Sequence, residues 1–108
     1  METTVRQGTG RYEIAADGKV VGVALYLDDG GRRIFFHTEV ADAYEGQGLA
    51  GKLVRQALEE TRTQGLRVVP VCPYVKGYVE RHHEYDDIVD PVTDEAVQLV
   101  REHQAAAR

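Results

Sequence analysis

Tyr44-Glu45-Gly46-Gln47-Gly48-Leu49-Ala50-Gly51-Lys52 is the stretch whose reading decides the fold. After it the apolar residues fall at Ala50, Leu53, Val54, Ala57, Leu58 and Thr61, the spacing of one helix face. Lys52, Arg55, Gln56, Glu59, Glu60 and Arg62 cover the other face, and Gly65 is a good terminator. The glycines therefore open the longest helix. A helix start leaves its first N–H groups without intrahelical partners and carries partial positive charge. Glycines let a ligand come close to the backbone, so this start is a candidate binding place for phosphate. The plain structural alternative is a tight strand-to-helix connection.

Before the stretch the period is two. Arg11 to Ala15 alternates and reads as a short strand. Asp17-Gly18 is a tight-turn signal. Val20 to Asp28 is almost continuously apolar, Asp28-Asp29-Gly30-Gly31 is a second turn, and Arg33 to Val40 is a third strand. These three strands make an antiparallel meander, and Met1 to Gly10 reads as a polar stretch with mobile ends, outside the meander. After the helix, Leu66 to Cys72 is a fourth strand. Strand, helix, strand predicts a right-handed crossover, with the fourth strand parallel to the third. Pro70 cannot donate to a ladder, so it belongs at an edge or where strands part. There it would open a cleft beside the glycine turn. Pro73 opens a short helix with Val75, Tyr78, Val79 and His82 on its apolar face. Thr93 caps a last helix whose face is Ala96, Leu99, Val100 and His103.

The bulk properties narrow the function. A chain of 108 residues is one domain, residues 1–108 with a core of about 11–103, and 43% hydrophobic with 29% charged residues is ordinary globular composition. A net charge of −5 argues against nucleic acid held by phosphate contacts. One cysteine excludes an internal disulfide and points to a reducing, cytoplasmic setting. No apolar run approaches the ~20 residues of a membrane span. Adjacent His82 and His83 point apart on a helix and make no metal site.

The Gly-x4-Gly-Lys-Ser/Thr spacing of a Walker loop is absent, and the strand before the glycines ends a meander rather than starting a βαβ unit. The stretch instead resembles motif A of the GNAT acetyltransferase superfamily, Arg/Gln-x-x-Gly-x-Gly/Ala at a helix start after a strand. Gly48 and Ala50 match it and Gly46 is common in the family, whereas Glu45 stands where a basic residue or Gln is usual. The segment Val69-Pro70-Val71-Cys72-Pro73-Tyr74-Val75, with Tyr78, Glu80-Arg81-His82 and Glu84-Tyr85, resembles a subfamily of very small GNAT-like proteins, with His83 where proline is common. The two motifs span about Tyr12 to Tyr85.

The resemblance implies an α/β GNAT-like fold: the three-stranded antiparallel meander, the central helix crossing to the fourth strand, and short C-terminal helices. It implies acetyl-CoA as cofactor and transfer of acetyl to an amine. The amine would be a protein or peptide lysine, an N-terminus, or a small amine. The alternative is a CoA-binding or acyl-CoA-binding module with little turnover. It further implies that Glu39 and Val40 hold the pantetheine arm, and that Gln47, Gly48, Leu49, Ala50, Gly51 and Lys52 hold the pyrophosphate. Without the N-terminal helices of larger relatives, the acceptor side is open. A monomer or weak dimer is expected.

Acetyl transfer needs a base for the amine, a stabilised thioester oxygen and a proton for the leaving thiolate. Cys72 precedes a helix start, a place that favours a thiolate, and could line the site or take the acetyl group; otherwise it is a buried apolar cysteine. Tyr78 matches the position where the family often carries a thiolate-protonating tyrosine; otherwise it is a core aromatic. Glu39 and His37 share a strand face and either could act as base; otherwise Glu39 is a solvated strand residue.

Overall fold

Asp17 and Gly18 have φ of 49° and 85°, and Gly30 and Gly31 have 53° and 82°. Both pairs thus form two-residue turns with positive φ, whose twist suits a hairpin. They join β2 (Arg11–Ala16), β3 (Lys19–Asp29) and β4 (Arg32–Val40) into the expected meander. The structure is a computed structural model that describes residues 1–107. The remaining elements are β1 (Thr3–Gly8), α1 (Leu49–Thr63), β5 (Arg67–Pro70), α2 (Pro73–Arg81) and α3 (Asp94–Ala106).

β1 corrects the expectation that Met1 to Gly10 stays outside the sheet. It pairs with β2 from Thr3↔Ala16 to Gly8↔Arg11, so the sheet has five strands in the order β1-β2-β3-β4-β5. An edge strand is held by its ladder and needs few apolar side chains. Here Val5 alone of β1 packs against the core. The mutual bonds Asp17 N–H to Glu2 O and Glu2 N–H to Asp17 Oδ1 close its start.

α1 carries the chain across to β5, which pairs parallel with β4 from Arg32↔Arg67 to Phe35↔Pro70. Pairing ends at Pro70, and residues 36–40 of β4 run on without β5. The outer edge of β5 is covered: Val68 exchanges backbone bonds with Ile88 and Asp90.

Alternation along the strands sorts side chains onto two faces. Tyr12, Ile14, Ala24, Tyr26, Phe35 and Val68 meet Leu53, Val54, Ala57 and Leu58 of α1 and Val75 and Val79 of α2. Each fully buried Leu or Val here contributes about 1.5–3 kcal/mol. On the other face Ile34 and Val69 meet Ala96 and Val100 of α3, which at 13 residues is no short helix. Thr93 Oγ1 accepts from the Ala96 N–H, the predicted cap. α1 buries Leu49 where Ala50 was expected, and buries Thr61 because its hydroxyl donates to Ala57 O at 2.7 Å.

Candidate active site

β4 carries a bulge at its midpoint. Tyr26 pairs with Phe35 and Leu25 with His37, so Phe36 has no partner. Paired residues share a face, and Ala24, which belongs to the core under α1, faces Thr38. The bulge therefore turns Thr38 and Val40 toward α1 and α2, and sends His37 and Glu39 to the opposite face. Gly22 lies under this end of the strand. A Cβ there would stand 2.9 Å from Ile14 Cγ2 and 3.1 Å from Glu39 O, so only glycine lets β3 come this close to β4.

Where β4 runs on past its pairing with β5, a cleft of about 430 Å³ opens between β4 and the start of α1. Thr38, Glu39 and Val40 form one wall, Gly48 to Gly51 the second, and Tyr74 the third. Gly46 and Gly48 have φ of 79° and 74°, and nothing lies within 4 Å of where their Cβ atoms would be. Gly48 caps α1, and the first intrahelical bond is Lys52 N–H to Gly48 O at 3.2 Å. The N–H groups of Leu49, Ala50 and Gly51 are thus free of helix partners at the cleft wall. This set of donors, with Gly46 and Gly48 putting no side chain before it, fits a pyrophosphate. Three carboxylates, Glu39, Asp42 and Glu45, stand on the same lining.

Not every expected residue meets at this cleft. Gln47 is exposed and off its wall, and Lys52 lines the neighbouring hollow of about 740 Å³ with Arg55, Thr3 and Thr4. Cys72 is 3% exposed, with Sγ 3.3 Å from Thr38 Oγ1. Tyr78 is 7% exposed, stacked on His82 with ring centroids 4.1 Å apart, and burial raises its pKa. The tyrosine on the cleft wall is Tyr74, 38% exposed, whose hydroxyl reaches 3.7 Å from a Cβ built on Gly51. Its signal in the sequence was its place one residue after the helix-opening proline, off the Val75-Tyr78-Val79 face. Thr38 had no such signal, since its direction depends on the bulge at Phe36. Glu39 has its carboxylate in solvent, 3.9 Å from His37 Nε2. It lies between the cleft and a hollow of about 440 Å³ lined by Val20 to Val23. His83 is occupied by a bond to Asp86 at 3.1 Å.

A sheet whose fourth and fifth strands part beside a glycine-opened helix defines a class, and comparison with known proteins gives the same one. The model of the GCN5-related N-acetyl-transferases matches residues 11–88. Protein NATD1 of mouse is 39% identical over 74 residues, 67% of each chain. With the human protein of that name the 39% identity extends over 46 residues, 43% of this chain and 41% of the human one. A GCN5-like protein from Staphylococcus aureus, solved in solution, superposes with a TM-score of 0.65 at 24% identity, covering 84% of this chain and 91% of that one. The ribosomal-protein-S18-alanine N-acetyltransferase of Escherichia coli superposes with a TM-score of 0.51 at 22% identity, covering 57% and 42%. The chain belongs to the GCN5-related N-acetyltransferase family, and its domain is an acetyltransferase domain. No helix among the described residues is long and apolar enough to cross a membrane.

Proposed function

We propose that this domain binds acetyl-CoA in the cleft between β4 and the start of α1 and transfers the acetyl group to an amine. The observation that carries the reading is the line of unpaired N–H groups at Leu49, Ala50 and Gly51, set beside strand positions 38–40 that β5 leaves open. The N–H groups hold the pyrophosphate, with Gly46 and Gly48 giving access, and the free edge of β4 at Glu39 and Val40 holds the amide-bearing arm. The thioester end then lies near the point where β4 and β5 part, where Cys72 N–H bonds to Phe35 O at 2.8 Å. The donor supplies an activated acetyl group. The amine nitrogen bonds to the acetyl carbon, the carbon–sulfur bond breaks, the departing thiolate takes up a proton and the amine gives one up. Glu39, open to solvent between the cleft and the hollow at Val20 to Val23, accepts the proton of an amine arriving from that side, with His37 beside it. Tyr74 stands at the cleft wall as a proton source. The hollow at Val20 to Val23, open to solvent beside Glu39, suits a lysine or an N-terminus on a protein or peptide, and admits a small amine.

The carboxylate lining favours one second reading, a CoA-binding module with little turnover. Calorimetric titration with acetyl-CoA, on the wild type and on Gly48→Glu, tests the site. Saturable binding that the substitution abolishes is expected. No binding to the wild type at millimolar donor would sink the transferase and module readings together. Turnover against an amine panel separates the two.

A further inference from the structure

We propose that the Thr38 hydroxyl donates a hydrogen bond to the carbonyl oxygen of the bound thioester, and that Cys72 is a positioning residue that holds this hydroxyl. The inference rests on the acetyl-donor reading of the cleft.

Four features converge on Thr38. The unpartnered Phe36 shifts the strand's register, so Thr38 faces the cleft rather than the open face. Pairing with β5 stops at Phe35↔Pro70, so nothing from β5 covers it. Its residue lines the cavity, whereas Cys72 does not and is 3% exposed. And its Oγ1 lies 3.3 Å from Cys72 Sγ, in reach for a hydrogen bond involving sulfur.

The chemistry follows from the donor and acceptor inventory. A thiol is a weak donor and a weaker acceptor, and a hydroxyl does both. A thioester carbonyl only accepts. The arrangement that uses every group runs from Cys72 Sγ–H to Thr38 Oγ1, and from Thr38 Oγ1–H to the carbonyl oxygen. Attack by the amine puts negative charge on that oxygen, so a donor already aimed there stabilises the transition state more than the ground state. No proton leaves Thr38 or Cys72, and no bond forms to sulfur. Cys72 has little access to the acetyl carbon from under Thr38, and acts through it.

The test needs no acceptor. Acetyl-CoA with an isotopically labelled carbonyl is bound to each variant, and the thioester carbonyl stretch is read by difference infrared spectroscopy. A hydrogen bond lowers that frequency. The wild type should show the lowered band, Thr38→Ser should keep it, and Thr38→Val, read at saturating donor, should return it to the value of the free donor. Cys72→Ser, which still donates, should keep the band, and Cys72→Ala should broaden and raise it. Thr38→Ala substitutes where Thr38→Val does not fold. With an amine in place, Thr38→Val should lower kcat about a hundredfold, a far larger change than in KM for acetyl-CoA. Equal bands in the wild type and Thr38→Val, both with donor bound, overturn the proposal. So does an acetyl group found on Cys72 by mass spectrometry. Failure of the wild type to bind donor at all overturns the acetyl-donor reading, and this inference with it.

Discussion

Arg33 shows how one side chain ties the sheet to the helix above it. It is 3% exposed, and its guanidinium lies 4.3 Å over the Tyr26 ring. Two bonds go to Asp28 at 2.7 and 2.8 Å, one to Tyr12 Oη at 2.7 Å and one to Gln64 Oε1 at 2.9 Å. Burial alone would lower its pKa, and the Asp28 carboxylate reverses the shift to a raised value. Arg33→Met keeps the volume but leaves the buried Tyr12 hydroxyl and the Gln64 carbonyl without their donor. It should cost about 2 kcal/mol in urea unfolding. The double variant with Tyr12→Phe should cost less than the sum of the two single changes, because the orphaned hydroxyl is gone. Strict additivity would show that Arg33 and Tyr12 act independently. Neither residue announces this role in the sequence. Arg33 reads there as the polar start of a strand, since its partners come from β2, β3 and the end of α1.

At the scale of elements, the start of α1 brings opposing charges together. Its free N–H groups attract an anion, while Glu45, Asp42 and Glu39 repel one. Glu45→Gln should therefore tighten acetyl-CoA binding several-fold in low salt, with the advantage shrinking as ionic strength rises. Isothermal titration at two salt concentrations decides the matter; equal or weaker binding by the variant would show that the carboxylate faces away from the donor. This helix was legible because its apolar spacing and its glycine boundaries agree. β1 was not, because backbone pairing to β2 orders it and leaves no apolar pattern to read. β5 runs from Arg67 to Pro70, shorter than the apolar run suggests, since Pro70 has no N–H to continue the ladder.

For the whole molecule, two cores of unequal size flank one sheet. The larger unites β2, β3, β4, α1 and α2, and the smaller attaches α3 chiefly through Ala96 and Val100. Hydrogen exchange should follow this division. The amides of β3 and the paired part of β4 should exchange only with global unfolding, and those of α3 sooner, by an opening of their own. Acetyl-CoA should slow exchange at Val40 and in the first turn of α1 while leaving α3 unchanged. Uniform protection by acetyl-CoA across α3 would mean that the two faces are coupled through the sheet, contrary to this division.

By itself the sequence determined the meander, the crossover, the placing of the glycine turn and the family it resembles. Each of these is written in local periods, turn chemistry or motif spacing, which short-range sterics and burial enforce. Only the tertiary structure decided which side chains meet at the cleft. It placed Thr38 and Tyr74 on the wall, put Cys72 beneath Thr38 and set Tyr78 in the core. The physical reason is that one unpaired residue, Phe36, shifts the facing of every residue after it on β4. A bulge is a relation between two strands, and neither strand's own pattern contains it.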